Sequence, residues 1–235
     1  MSKVLGVTLA RGGSKGVPRK NLRDLAGKPL IQYSISEALK SKMLTDYVVS
    51  TDDSEIQDFA LSLGAQAPFL RPAELASDTA SSADALIHAV KFMEDVVGQK
   101  YEIVVEIMST NPFKTHRDID GCISKLQRTG ANAVVAVHQI FDSHPSRIKK
   151  IENDRLVDFC VSEIPESRRQ DLKPEAFLRS GSIYAVRKEF LLNSKARYDN
   201  ENTRPYILDA NRVINIDEEK DFLLAETLIQ SGILH

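Results

Sequence analysis

The stretch from Leu9 to Asn21, LARGGSKGVPRKN, brings three glycines and four cations together at the end of an apolar, strand-like run, VLGVTLA. Glycines let backbone N–H groups approach an anion with no Cβ in the way, and cations neutralise it. The chemistry such a turn suits is the holding of a phosphate chain. It is neither of the two common phosphate cradles. A P-loop needs GxxxxGK[ST], whereas Val17 and Pro18 follow Gly16, and a dinucleotide fingerprint needs GxGxxG opening straight into a helix. The plainer alternative is a solvated basic turn. A nucleic-acid patch fits poorly, because no aromatic residue interleaves with the cations.

Charge follows the same distribution. Between Arg11 and Lys28 six cations face one acid, Asp24, a local +5 that leaves −7 on the remainder of a chain whose net charge is −2. Nothing global draws the chain to nucleic acid or to an anionic membrane. With 235 residues, 42% of them hydrophobic, it can bury a full core. No apolar segment of signal or transmembrane length opens the sequence, so the expected location is cytoplasmic. Cys122 and Cys160 match no CxxC or Cys/His spacing and are expected to be core or half-buried thiols. The five histidines show no ligand spacing.

The elements that must position this turn alternate short β-rich runs with helical stripes, the pattern of βα units on a mainly parallel sheet. Strands are expected at VLGVTLA, Tyr47 to Thr51, Glu102 to Ser109, Ala133 to Val137 and Ser182 to Val186. Helical faces are carried by Ile31, Ile35, Ala38 and Leu39, by Ile119, Cys122, Ile123 and Leu126, and by Phe222, Ala225, Leu228 and Ile229 before Gly232. Ser54 to Gln57 reads as a capping box. From about His138 to Leu178 the chain turns polar and irregular, an excursion from the sheet that serves as a lid or an oligomer contact.

Six motifs in order, ARGGSKGVPRKN, GKPLI, VVSTDD, RPAELASDTASS, GSIYAV and INIDEEKDFLLAE, resemble the CMP-sialic acid synthetases and related CMP-nonulosonate cytidylyltransferases over essentially the whole chain. The resemblance implies an α/β fold with a mainly parallel, Rossmann-like nucleotidyltransferase sheet flanked by helices. Residues 1–137 and 179–235 would form the catalytic domain, and 138–178 an inserted dimerisation and sugar-binding arm. It implies that CTP and a nine-carbon 2-keto acid sugar give a CMP-sugar and pyrophosphate with Mg2+, the anomeric hydroxyl attacking the α-phosphorus. Charge neutralisation on the triphosphate is then the protein's main task.

Carried over by resemblance, the nucleotide site comprises Ala10, Arg11, Gly12, Lys15 and Asn21 of the loop, with Arg71, Ala80 and Ser82. Arg11, Lys20 and Asp217 take the catalytic roles. On the residues alone, Arg71 reads equally as a surface ion-pair partner and Ser82 as a helix N-cap. Where the family holds magnesium with an IDID-like strand end, this chain reads INID, so Asp217 is retained and Asn215 stands in for the second ligand. Asp217 also suits an N-cap.

The sugar site is expected at Met108, Thr110, Asn111, Ser180 and Tyr184, with Arg147 and Arg169 reaching in from the arm. Met108 occupies the place of the family's glutamine and Ser180 that of an asparagine. A thioether would pack against an apolar substituent and leave a polar one unpaired, which favours a deoxygenated nonulosonate such as legionaminic acid, unless Met108 only fills core. His144 is placed near this pocket. The competing readings are an N-acetylneuraminate enzyme, a cytidylyltransferase for the eight-carbon acid KDO, and a non-catalytic CTP sensor suggested by Asn215. A homodimer is expected, without nucleic-acid or membrane partners.

Overall fold

A computed structural model describes residues 2–14, 16–162 and 168–234. The apolar run after the N-terminus forms β1 (Val4–Leu9), and the basic loop returns through a minimal hairpin of β2 (Asp24–Leu25) and β3 (Lys28–Pro29) into α1 (Leu30–Lys40). There follow β4 (Asp46–Ser50), α2 (Ser54–Ser62), α3 (Ser82–Val97), β5 (Ile103–Ile107), α4 (His116–Thr129) and β6 (Ala133–Ile140). The polar excursion contains β7 (Lys149–Glu152) and β8 (Arg155–Asp158). The chain re-enters the sheet as β9 (Ala176–Arg187) and closes with α5 (Lys188–Ser194), β10 (Thr203–Ile207) and α6 (Glu219–Gln230).

Six strands form one sheet in the order β10-β6-β9-β5-β1-β4, five running one way and β9 antiparallel between β5 and β6. Alternation along the strands divides the core. Val4, Val49, Ile103 and Val105 face α1, α2 and α4, whereas Leu5, Val7, Val48 and Val104 face α3 and α5. The mainly parallel α/β sheet is the one the sequence predicts. The strand expected at Ser182 is the second half of β9, which already begins at Ala176 and pairs with β6 out to Ile140. Beyond that ladder, β7 and β8 make a tight hairpin whose corner, Asn153 and Asp154, has positive φ at both residues.

Several local expectations are corrected. The cap of α2 is Asp53, which accepts from the backbone N–H groups of Glu55 and Ile56, so Ser54 is already helical. The cap of α3 is Ser81, accepting from the Asp84 N–H at 3.0 Å, and Ser82 is its first residue. Glu218 caps α6 through a capping box with Asp221, not Asp217. The INID segment carries no strand: after the turn at Ala210–Arg212 it runs without regular secondary structure to the cap of α6. Leu39 is exposed on α1, and Cys160 is exposed on the arm, whereas Cys122 is buried.

A third apolar cluster builds the site. Val17 of the basic loop, Leu25, Leu30 and Phe113 pack with Ile214, Ile216, Phe222 and Ala225, which draws the C-terminal segment against the loop. Among the described residues no helix is long and apolar enough to cross a membrane.

Candidate active site

The basic loop leaves β1 at the carboxyl edge of the sheet, where open α/β folds place ligands. Here it borders a cleft of about 600 Å³ whose other walls are the 71–82 segment, the end of β5 and Asp217–Glu218. Two loop positions need glycine for close approach. A Cβ on Gly12 would lie 2.5 Å from Asp53 Oδ2, and one on Gly16 would lie 2.2 Å from the Asp217 carbonyl oxygen. The loop is clipped internally by Ser14, whose hydroxyl donates to the Val17 carbonyl and accepts from the Lys20 N–H. Asn21, buried, donates to the Arg11 carbonyl at 3.0 Å and accepts from Ser109 Oγ at 2.7 Å, tying the loop to the turn after β5.

The cations behave unequally. Arg19 is held by Asp53 and Glu55, Arg23 bonds Glu219 and lies over the Phe222 ring, and Lys28 lies over Tyr33. The local +5 is therefore largely neutralised by packing against α2 and α6. Arg11 and Lys20 are the ones that line the cleft, while Lys15 falls outside the described residues. Arg11 pairs with Asp78 at 2.7 Å in an exposed position, a contact worth about 0–1 kcal/mol. Lys20 Nζ donates to the Ile216 carbonyl at 2.8 Å and to Asp217 Oδ1 at 2.9 Å.

Arg71, Ala80 and Ser82 line the same cleft. Arg71 is 5% exposed, and its Nε is buried without a partner. Burial lowers its pKa, and Arg11 pushes the same way while Asp52 opposes. Asp52, 3.9 Å from the guanidinium, also accepts from the Gly12 N–H at 3.0 Å, so one carboxylate in the VVSTDD motif links Arg71 to the basic loop. Ala10 is wholly buried behind the loop.

Of the residues expected at the sugar, Met108 and Thr110 line the cleft. Their turn is fixed by Lys114, a buried lysine whose Nζ donates to the Met108 and Asn111 carbonyls and to Ser34 Oγ at 2.5–2.7 Å. The turn leaves Thr110 Oγ1 and Asn111 Oδ1 buried without partners. Asn111, Ser180 and Tyr184 sit behind the wall. The Ser180 hydroxyl is spent inside the sheet, on Ser182 Oγ and the Ala136 carbonyl. Arg147 and Arg169 lie on the arm, near Asp142 and over Phe141, and neither lines this chain's cleft. His144 is buried between Ser146 and the Pro174 carbonyl, and so braces the arm without lining the cleft.

Asn215 gives its amide N–H to Asp217 Oδ2. Its Oδ1 faces Gly181, 3.3 Å from where a Cβ there would stand. Among the described residues no group of three or more His, Cys, Asp or Glu side chains is arranged to hold a metal. Asp217, exposed at the cleft, fits a magnesium ion brought in on phosphate oxygens, since that ion keeps several waters and takes one or two protein carboxylates. It does not make a cage by itself.

Sequence reasoning passed over Glu106, Asp52 and Lys114. Glu106 lines the cleft although 2% exposed, its Oε2 accepting from Arg197 Nη1 at 2.5 Å. A lone acid inside the apolar run EIVVEIMS is the signal that could have found it.

A mainly parallel α/β sheet whose glycine-rich cationic loop meets Asp217 across a cleft at its carboxyl edge is the arrangement of a nucleotidyltransferase. The chain belongs to the cytidylyltransferase family, whose model, described as Cytidylyltransferase, matches residues 5–229. It is 33% identical to the CMP-N,N'-diacetyllegionaminic acid synthase of Legionella pneumophila, over 97% of each chain. It is 32% identical to a pseudaminic acid cytidylyltransferase of Campylobacter jejuni, over 96% of each. The solved structure of a CMP:2-keto-3-deoxy-manno-octonic acid synthetase complexed with CTP superposes with a TM-score of 0.72, covering 98% of this chain and 100% of that one, at 23% identity.

Proposed function

We propose that the protein transfers CMP from CTP to the anomeric hydroxyl of a nonulosonic acid, releasing pyrophosphate. The observation that carries this reading is the meeting of Lys20, Asp217 and the Gly16 backbone at one wall of the cleft, opposite Arg71 and Ser82. The loop N–H groups, Arg11 and Lys20 take the triphosphate charge, with Lys15 assigned by resemblance. Arg71, buried at the wall of the cleft, supplies a pre-oriented guanidinium to the cytidine. Attack on the α-phosphorus forms the sugar O–P bond as the hydroxyl gives up its proton to solvent, and breaks the bond to pyrophosphate, whose departing oxygens are met by Arg11 and Lys20. Magnesium, held by Asp217 together with phosphate oxygens, would supply further charge neutralisation.

The relatives named above for legionaminic and pseudaminic acids are about equally similar, so the choice of sugar rests on Met108. Met108 lines the cleft, and its thioether is a weak hydrogen-bond partner that packs better against an apolar substituent than a polar one, which favours a sugar that is deoxygenated there. We expect kcat/KM for legionaminic acid to exceed that for N-acetylneuraminic acid by about tenfold or more. Equal values would remove Met108 from the selectivity and leave the reaction class intact. The arm supports a homodimer, since its hairpin exposes Ile151 (77%) and Leu156 (73%) and its arginines Arg147 and Arg169 stand outside their own cleft. The expected compartment is the cytoplasm, where CTP is made.

A further inference from the structure

Lys114 is buried, and the reaction proposed above gives it no task. Among the described residues its Nζ is met by two carbonyls and a hydroxyl, with no carboxylate in contact. Taking an ammonium out of water is costly, and a methionine would fill nearly the same volume without that cost. Packing alone does not account for a lysine here. What the Nζ gains is both ends of one turn. It donates to the Met108 carbonyl at 2.6 Å and the Asn111 carbonyl at 2.5 Å, the first and last of the four residues that follow β5, and to Ser34 Oγ of α1 at 2.7 Å.

The two residues between the clamped ends reach different walls of the cleft. Ser109 Oγ donates to Asn21 Oδ1 at 2.7 Å, and Asn21 Nδ2 donates in turn to the Arg11 carbonyl at 3.0 Å. The Thr110 carbonyl accepts from the Ile216 N–H at 2.8 Å, and the carbonyl of that same Ile216 accepts from Lys20 Nζ at 2.8 Å. Arg11 and Lys20, the cations that line the cleft, thus each stand two hydrogen bonds from the turn. Asn21, Ser109 and Ile216 are buried, so a bond lost along either route is not readily replaced by water.

We propose that Lys114 is a positioning residue that sets the distance between Arg11 and Lys20 by clamping the turn on which both lean. The two cations meet the departing pyrophosphate only when their separation fits it, and a displacement of about 1 Å at such a site can cost about 100-fold in rate. Lys114 touches no reacting atom and acts through backbone carbonyls alone. This rests on the cytidylyltransferase reading and deepens it, from the residues that touch the triphosphate to one that holds them at their spacing.

The test compares wild type with Lys114→Met, Ser109→Ala, the double variant and Tyr101→Phe, by initial rates. Tyr101→Phe removes a hydroxyl that bonds Asp46 at the other end of β5 and serves as the control for lost stability. It should melt lower and keep wild-type kinetics. Lys114→Met should lower kcat about 10- to 100-fold and raise the KM for CTP about tenfold. Ser109→Ala, which cuts the route to Arg11 alone, should raise the KM for CTP several-fold and leave kcat within about threefold. Because the clamp acts through Ser109, the double variant should have a KM for CTP within about twofold of the worse single variant. Losses that multiply in the double variant, a loss in Lys114→Met confined to the KM of the sugar, or equal losses in Tyr101→Phe overturn the inference. Should Lys114→Met melt too low to assay, a KM for CTP unchanged in Ser109→Ala overturns it as well. Wild type that binds CTP yet neither turns over any nonulosonic acid nor binds one with CMP present, by calorimetry, overturns the cytidylyltransferase reading itself, and the inference with it.

Discussion

Asp217 is engaged at both oxygens, by Lys20 on one side and Asn215 on the other. An aspartate at position 215 would repel it, and an amide supports it, so Asp217 is oriented by a neutral neighbour where a second carboxylate would compete with it for protons. Replacing Asp217 with alanine should cut turnover at least about 100-fold, with CTP affinity much less affected, as equilibrium binding and initial rates measured together would reveal. Asn215→Asp should lower the magnesium concentration needed for half-maximal rate several-fold, a titration that leaves the value unmoved being evidence that position 215 stands outside the ion's reach. The sequence made Asp217 legible because it sits in a recognisable motif. It could not show that Arg19, Arg23 and Lys28, counted with the loop's charge, are spent on acidic and aromatic partners contributed by α2, α6 and α1, because those partnerships are made by folding.

The turn after β5 is held by Lys114, and here the element scale decides. Burial pushes the Lys114 pKa down to about 7 from an ordinary 10.5, while Glu37 and Asp118 pull it back. Between those values the unfolded chain binds the proton and the folded one does not, so the contribution to stability grows as pH rises from about 7 and is lost as pH falls through it. Urea unfolding at stepped pH should show wild type gaining on Lys114→Met by up to about 1.4 kcal/mol per pH unit above neutrality. A pH-independent difference would mean that the ammonium keeps its proton throughout. The strands were readable where apolar runs were long, as in β1 and β5. β10, TRPYI, escaped because Pro205 and Arg204 disguise it, and it tolerates proline only as an edge strand paired with β6 alone. The INID segment misled in the opposite sense, being held against the site by packing of Ile214 and Ile216 and by an Ile216 N–H bond to the Thr110 carbonyl at 2.8 Å, with no strand ladder.

At the scale of the molecule, the arm decides whether one chain completes its own site. If Arg169 serves a second copy, mixing inactive Asp217→Ala and Arg169→Ala subunits should restore roughly a quarter of wild-type activity, because half the dimers are mixed and each holds one intact site. No recovery would assign Arg169 to its own cleft or to structure alone. The sequence marked the arm as an interruption of βα alternation, but hairpin geometry there depends on Asn153 and Asp154 accepting positive φ, a local choice with no periodic signature. The most direct test of the whole account is pyrophosphate release by the purified protein with CTP and magnesium, with legionaminic, pseudaminic and N-acetylneuraminic acids and KDO in parallel beside a no-sugar control. Release should require both CTP and a nonulosonic acid and be fastest with legionaminic acid. CTP binding with no release above the control for any sugar would contradict it and make the cleft a nucleotide sensor.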